Sequence, residues 1–105
     1  NPILKDLLSA WILMGLDDEV NANRIFDKTA KVQGMGQFAN FHRAMSQLAA
    51  GKVDQAQRTF DLIHSDQANP TRRSVIYHTK ILLSQSKFKE AQQLLEKWFG
   101  PTFDP

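Results

Sequence analysis

Apolar residues recur along this chain at intervals of three and four, and no segment alternates with a period of two. Ile3, Leu4, Leu7, Leu8, Trp11 and Met14 form the first stripe, which runs to about Gly15. That spacing places side chains on one face of a helix. Asn1-Pro2 ahead of it offers a capping side chain and a preorganised first turn. A second helix opens at Asp17-Asp18 and carries Val20, Ala22, Ile25, Phe26 and Ala30; Gly34 and Gly36 then mark a turn. Phe38, Phe41, Met45 and Leu48 predict a third helix ending near Gly51, and Ala56, Phe60 and Ile63 a fourth opening at Asp54. Asn69-Pro70 repeats the opening signal of the chain. Val75, Ile76, Thr79, Leu82 and Leu83 carry a fifth helix to about Ser86. Phe88, Ala91, Leu94, Leu95 and Trp98 define a sixth, stopped by Gly100-Pro101. The pattern predicts an all-α chain of six helices.

Residues 51–70 and 86–105 are one unit written twice, 35 positions apart. Lys52 falls on Lys87, Ala56 on Ala91, Gln57 on Gln92 and Pro70 on Pro105, while Phe60 falls on Leu95 and Ile63 on Trp98. A period of this length is the sign of an architecture that grows by stacking copies, and such proteins mostly present surfaces. Three units are expected, at about 1–35, 36–70 and 71–105, within a single domain spanning 1–105. Asn1-Pro2, Asn69-Pro70 and Asp104-Pro105 stand at unit borders. The expectation is therefore of a segment bounded by repeat borders within a longer array.

The pattern resembles the tetratricopeptide repeat, a 34-residue helix–turn–helix unit. The resemblance is carried by Gly51-Lys52-Val53-Asp54-Gln55-Ala56 with Phe60, and by Ser86-Lys87-Phe88-Lys89-Glu90-Ala91 with Leu95. A small Ala lets the two helices of a pair cross closely, and the large residue four positions later fills the gap to the next helix. Leu4, Leu7, Leu8 and Trp11 match the first-helix pattern, with Gly15, Ala22 and Phe26 following. Anchored on Gly15, the first unit holds about two extra residues before Ala22; in the second, Arg43 and Gln47 stand where the family is usually apolar. The resemblance implies a right-handed α-solenoid of three helix–turn–helix repeats. Pentatricopeptide repeats share a similar period and bind RNA, but the first two units fit them poorly.

Composition narrows the functional classes. Hydrophobic content of 42% and charged content of 23% are ordinary for a globular chain. The net charge of +2 is dispersed, with Arg72-Arg73 the only adjacent basic pair, so no nucleic-acid stripe is present and no nucleic-acid partner is expected. There are no cysteines, which excludes disulfides, thiolate metal sites and a Cys nucleophile without deciding between cytosol and periplasm. The longest unbroken apolar run, Ala10 to Met14, falls far short of the roughly 20 residues that span a bilayer. The chain opens on Asn1 rather than Met, and the natural N-terminus is expected to lie upstream.

No catalytic group is assembled by local spacing. His42 and His78 lack a His or carboxylate four residues away, and His64 has only Asp61 and Asp66 nearby. Asp17-Asp18-Glu19 reads as a helix cap rather than a cation site. Gly34-x-Gly36 lacks the context of a phosphate loop. No enzyme, no metal and no cofactor is expected.

The resemblance points instead to a protein–protein interaction module that binds a partner peptide in the concave groove lined by the first helix of each pair. With Gly15, Gly51 and Ser86 as anchors, the groove-facing residues are Lys5, Ser9, Phe38, His42, Met45, Arg73, Tyr77 and Lys80. Some members hold a partner's C-terminal tail in a two-carboxylate clamp. Lys5 and Arg73 agree with that clamp in charge; Ser9, His42 and Tyr77 depart from it. The alternative is a structural, self-associating segment of an assembly protein, with Trp98 and Phe99 as its association face.

Overall fold

A computed structural model describes residues 1–65 and 70–100. The described residues form six helices and no strand, in the order α1 (Pro2–Gly15), α2 (Glu19–Ala30), α3 (Gly36–Ala49), α4 (Val53–Ser65), α5 (Arg72–Ser84) and α6 (Phe88–Phe99). The chain falls into two compact units, Asn1–Asp66 and Gln67–Pro105. Asn69, Pro101 and the Asp104-Pro105 border signal lie outside the described residues.

Local chemistry sets the starts. Asn1 Oδ1 accepts from the Ile3 amide at 3.0 Å, with Pro2 in the first turn. Asp18 caps α2 by accepting from the Asn21 amide at 3.3 Å. Thr71 caps α5 by accepting from the Ser74 amide at 3.1 Å. Each side chain satisfies an amide that has no partner within its helix.

The helix ends reveal the repeat in the backbone itself. α1, α3 and α5 all close with the same pair of hydrogen bonds. Asp17, Gly51 and Ser86 donate to Met14, Leu48 and Leu83 at 3.1, 3.0 and 3.0 Å; Asp18, Lys52 and Lys87 donate to Leu13, Gln47 and Leu82, each at 2.8 Å. This is a Schellman closure, which requires a left-handed residue. Asp17, Gly51 and Ser86 supply it at φ of 65°, 79° and 58°. They stand 34 and 35 residues apart. The first unit's turn is thus centred on Asp17 rather than Gly15, and no extra residues precede Ala22.

The alanines follow the same spacing. Ala22, Ala56 and Ala91 are all buried, five residues after the turn residue in each unit. In the first unit α1 packs on α2 and α3, α2 on α3, and α3 on α4. Leu7, Ala10, Met14, Ala22 and Phe26 form its core cluster, with Ile3, Trp11, Leu13, Ile25 and Ala50 packed against it. Phe60 is buried on α4, its ring edge-on to Phe41 at 6.1 Å and stacked on His64 at 5.9 Å. In the second unit α5 packs on α6, with Val75, Ile81, Leu82 and Ala91 buried. No helix among the described residues is long and apolar enough to cross a membrane.

The buried face of α3 is Ala39, Ala44, Ser46 and Gln47, turned away from the Phe38–Phe41–Met45–Leu48 stripe, and Arg43 and Gln47 can stand half-buried and buried there because each finds polar partners. Arg43 donates to Asn23 Oδ1 at 3.1 Å and Asp27 Oδ1 at 2.6 Å, and its guanidinium lies 5.5 Å from the centre of the Phe26 ring. Thr59 donates to Gln47 Oε1 at 2.6 Å. Paired in this way, polar groups tolerate burial that would otherwise be costly.

Candidate functional site

α1 and α3 are the first helices of two consecutive hairpins and pack on one another, so their outward faces adjoin. The turn residues fix the correspondence between them. Counting back from Asp17, the positions that match Phe38, His42 and Met45 are Leu4, Leu8 and Trp11. Lys5 and Ser9, placed in the groove by the Gly15 anchor, move out of that register by one residue.

An aromatic cluster with an apolar margin occupies this surface. Trp11 Nε1 donates to His42 Nδ1 at 3.2 Å. The His42 ring lies edge-on to Phe38 at 4.6 Å, to Phe41 at 6.0 Å and to Trp11 at 6.1 Å. Leu4, Leu8 and Phe38 are exposed although large and apolar, while Trp11, His42 and Met45 are half-buried. Because Nδ1 accepts, the neutral His42 ring carries its proton on Nε2. Burial lowers the His42 pKa from its ordinary value, since an imidazolium would be poorly solvated there.

Lys5 is exposed and Ser9 half-buried on α1. In the second unit Arg73 and Lys80 are exposed and Tyr77 is half-buried, with the Lys80 ammonium 5.2 Å from the centre of the Tyr77 ring. Arg73, Tyr77 and Lys80 share one face of α5, and Phe38, His42 and Met45 share one face of α3. Trp98 is half-buried and Phe99 exposed at the end of α6; Arg72 lies 5.5 Å from the centre of the Phe99 ring and Lys97 5.0 Å from that of Trp98.

Two further arrangements were missed in the sequence. A cavity of about 370 Å³ lies between α2, α3 and α4, lined by Asn23, Asp27, Asn40, Arg43 and Gln47 among others. The sequence signal for it was the polar pair Arg43 and Gln47 on an otherwise apolar stripe. Lys52, which follows the turn residue Gly51 between α3 and α4, reaches back to the turn between α1 and α2, with its ammonium 2.6 Å from Asp17 Oδ1 and 2.8 Å from Glu19 Oε1. The hydrogen bond from Lys52 is the main cause of the lowered pKa of both carboxylates, and those bonds in turn raise the lysine. Among the described residues no group of three His, Cys, Asp or Glu side chains is placed to hold a metal.

Comparison of the chain with family models, curated proteins and solved structures returns no match.

Proposed function

We propose that this chain is a protein-interaction module of tetratricopeptide type, a right-handed solenoid of three helical hairpins that takes a partner peptide along its first helices. The observation that carries this reading is the apolar surface of α1 and α3. Leu4, Leu8 and Phe38 stand in water beside the Trp11–His42 pair. Contiguous exposed apolar surface of this kind is costly to a monomer and is commonly used for binding. Aromatic rings with a polar handle suit the role, because they offer large contact area at little entropic cost. Phe38 and Met45 are the apolar contacts and His42 the polar one. Arg73, Tyr77 and Lys80 present a basic and aromatic face of the same kind on α5, which favours a peptide carrying apolar anchors beside acidic residues.

A displayed library of random linear peptides tests the proposal without a known partner. Peptides selected on the wild-type chain should weaken by about tenfold or more on Phe38→Asp, the loss expected of an interface anchor. Arg73→Glu should weaken them too, with far-UV circular dichroism unchanged. Failure to select any peptide, or affinities indifferent to both substitutions, would remove this surface as the binding site.

A further inference from the structure

A second surface lies on the other side of α3 and does not depend on the reading of the aromatic surface. Asn40, Arg43 and Gln47 follow one another at spacings of three and four and share one face of the helix. With about 3.6 residues to the turn, that face points almost opposite to the one that carries Phe38, His42 and Met45. It lines the cavity of about 370 Å³ to which α2 contributes Asn23 and Asp27, and α4 Thr59, Leu62 and Ile63. All three helices belong to the unit Asn1–Asp66, and neither α1 nor α6 forms a wall.

The two charges in this cavity are committed to each other. Arg43 donates through Nη1 to Asn23 Oδ1 at 3.1 Å and through Nη2 to Asp27 Oδ1 at 2.6 Å, while its Nε is closed off from solvent. No other charged side chain lines the space, so the lining is neutral. The groups left open are amides. Gln47 is 6% exposed and its Oε1 accepts from Thr59, yet its Nε2 has no partner among the described residues and is not sealed in the interior. An amide nitrogen carries two N–H donors, and holding them out of water unmatched is costly. Asn40 is half-buried, and its side chain bonds nothing among the described residues. Asn23 keeps its Nδ2, only its Oδ1 being taken by Arg43.

Spacing and charge together select the ligand. Asn40 and Gln47 stand seven residues apart, which is about 10 Å along a helix axis. A single amide group does not reach both. An extended polypeptide does, because it rises about 3.3 Å per residue and so covers the distance in about three residues. Each of its peptide units offers a C=O and an N–H without net charge. Asn40 offers the complementary donor and acceptor, Gln47 a donor, and Leu62 and Ile63 an apolar wall for the side chain between them. A charged group would either break the Arg43–Asp27 pair or stay unmatched.

We infer that this cavity holds a short, extended peptide segment of uncharged residues by its main chain, with Asn40 taking one peptide unit and Gln47 another about three residues along. The probe is the capped tripeptide acetyl-alanyl-leucyl-alanine amide, titrated into the full chain and followed by NMR at the side-chain NH2 groups of Asn23, Asn40 and Gln47. These resonances should shift and saturate in the millimolar range, as suits so small a ligand. The same tripeptide methylated on its peptide nitrogens should bind about tenfold more weakly for want of N–H donors, and the one-residue acetyl-leucine amide as weakly for want of span. Asn40→Ala should cost about tenfold as well. Gln47→Leu should act in the same direction, with Thr59 keeping its bond to the Gln55 carbonyl at 3.1 Å. Should Gln47→Leu fail to fold, Asn40→Ala still decides, since the Asn40 side chain bonds nothing among the described residues. Shifts that never saturate overturn the inference, as does equal binding of the methylated peptide or an affinity indifferent to Asn40→Ala. Phe38→Asp should leave the titration unchanged, so failure here and failure of the aromatic surface are read separately. A titration abolished by Phe38→Asp would place the probe on that other surface and overturn the inference equally.

Discussion

At the scale of single residues, two groups tie stability to pH, and they do so in different windows. His42 has a folded pKa below its ordinary value of 6.5. Above that value both folded and unfolded chains are neutral at this site and its stabilising contacts are complete. As pH falls below it, the unfolded chain takes up the proton first, and stability declines until the folded pKa is passed. The urea midpoint should therefore drop as pH falls below 6.5, and His42→Gln should shrink that drop. His64 and His78 are also buried, so the difference between the variant and the wild type is the quantity to measure. Lys52 works at the edges of the range. The lowered pKa values of Asp17 and Glu19 give a contribution present above the ordinary carboxylate range and lost as pH falls through the folded values. The raised Lys52 value adds a contribution lost only as pH climbs through it. Lys52→Met should thus lower the urea midpoint at neutral pH and converge with the wild type in acid. Because Asp17 is largely exposed, added salt should narrow the gap.

At the scale of elements, the repeated turn makes a cleaner prediction. Ser86 occupies at φ 58° the position that Gly51 occupies at φ 79°. A Cβ strains left-handed backbone, and glycine relieves that strain at some cost in unfolded-state entropy. Ser86→Gly should stabilise the chain by about 1 kcal/mol, and Gly51→Ala should cost about as much. A Cβ built at Gly51 meets no atom within 4 Å, so any loss measured there reports φ alone rather than a clash. All six helices were legible from three- and four-residue spacing, but the buried face was not always the predicted stripe: α3 buries Ala39, Ala44, Ser46 and Gln47 and leaves Phe38 exposed. The first turn was misplaced for a physical reason. Glycine is the residue that most readily adopts left-handed backbone, yet Asp17 adopts it, as short polar side chains can, beside the Lys52 ammonium. Counted from Asp17, it is Leu4, Leu8 and Trp11 rather than Lys5 and Ser9 that stand at the positions of Phe38, His42 and Met45. The Arg43 cluster was illegible because its partners, Asn23 and Asp27, lie sixteen to twenty residues away and are joined to it only by the packing of α2 on α3.

At the scale of the whole molecule, a repeat chain is stabilised by each unit's own contacts and by those with its neighbours, and short pieces fall below the threshold for folding. Asn1–Asp66 holds four helices, the cluster around Phe26 and the buried Phe60. A chain of roughly 60 residues with such a core is large enough to fold alone, though marginally. Gln67–Pro105 holds a single hairpin, and pieces of about 40 residues or fewer generally need a metal, a disulfide or a partner surface. It has no cysteine to form a disulfide. Its described residues bring together no three side chains suited to a metal. Made separately, residues 1–66 should melt cooperatively with a helical spectrum, and residues 67–105 should be largely unfolded. If the shorter piece melts cooperatively by itself, its stability resides within the α5–α6 hairpin and the threshold argument fails for this chain. If it is unfolded alone but gains helicity when mixed with residues 1–66, the missing contribution is a neighbouring repeat surface. Helicity gained on mixing should then be lost with Ser46→Asp in the longer piece only if that piece itself unfolds, since Ser46 is 2% exposed within it.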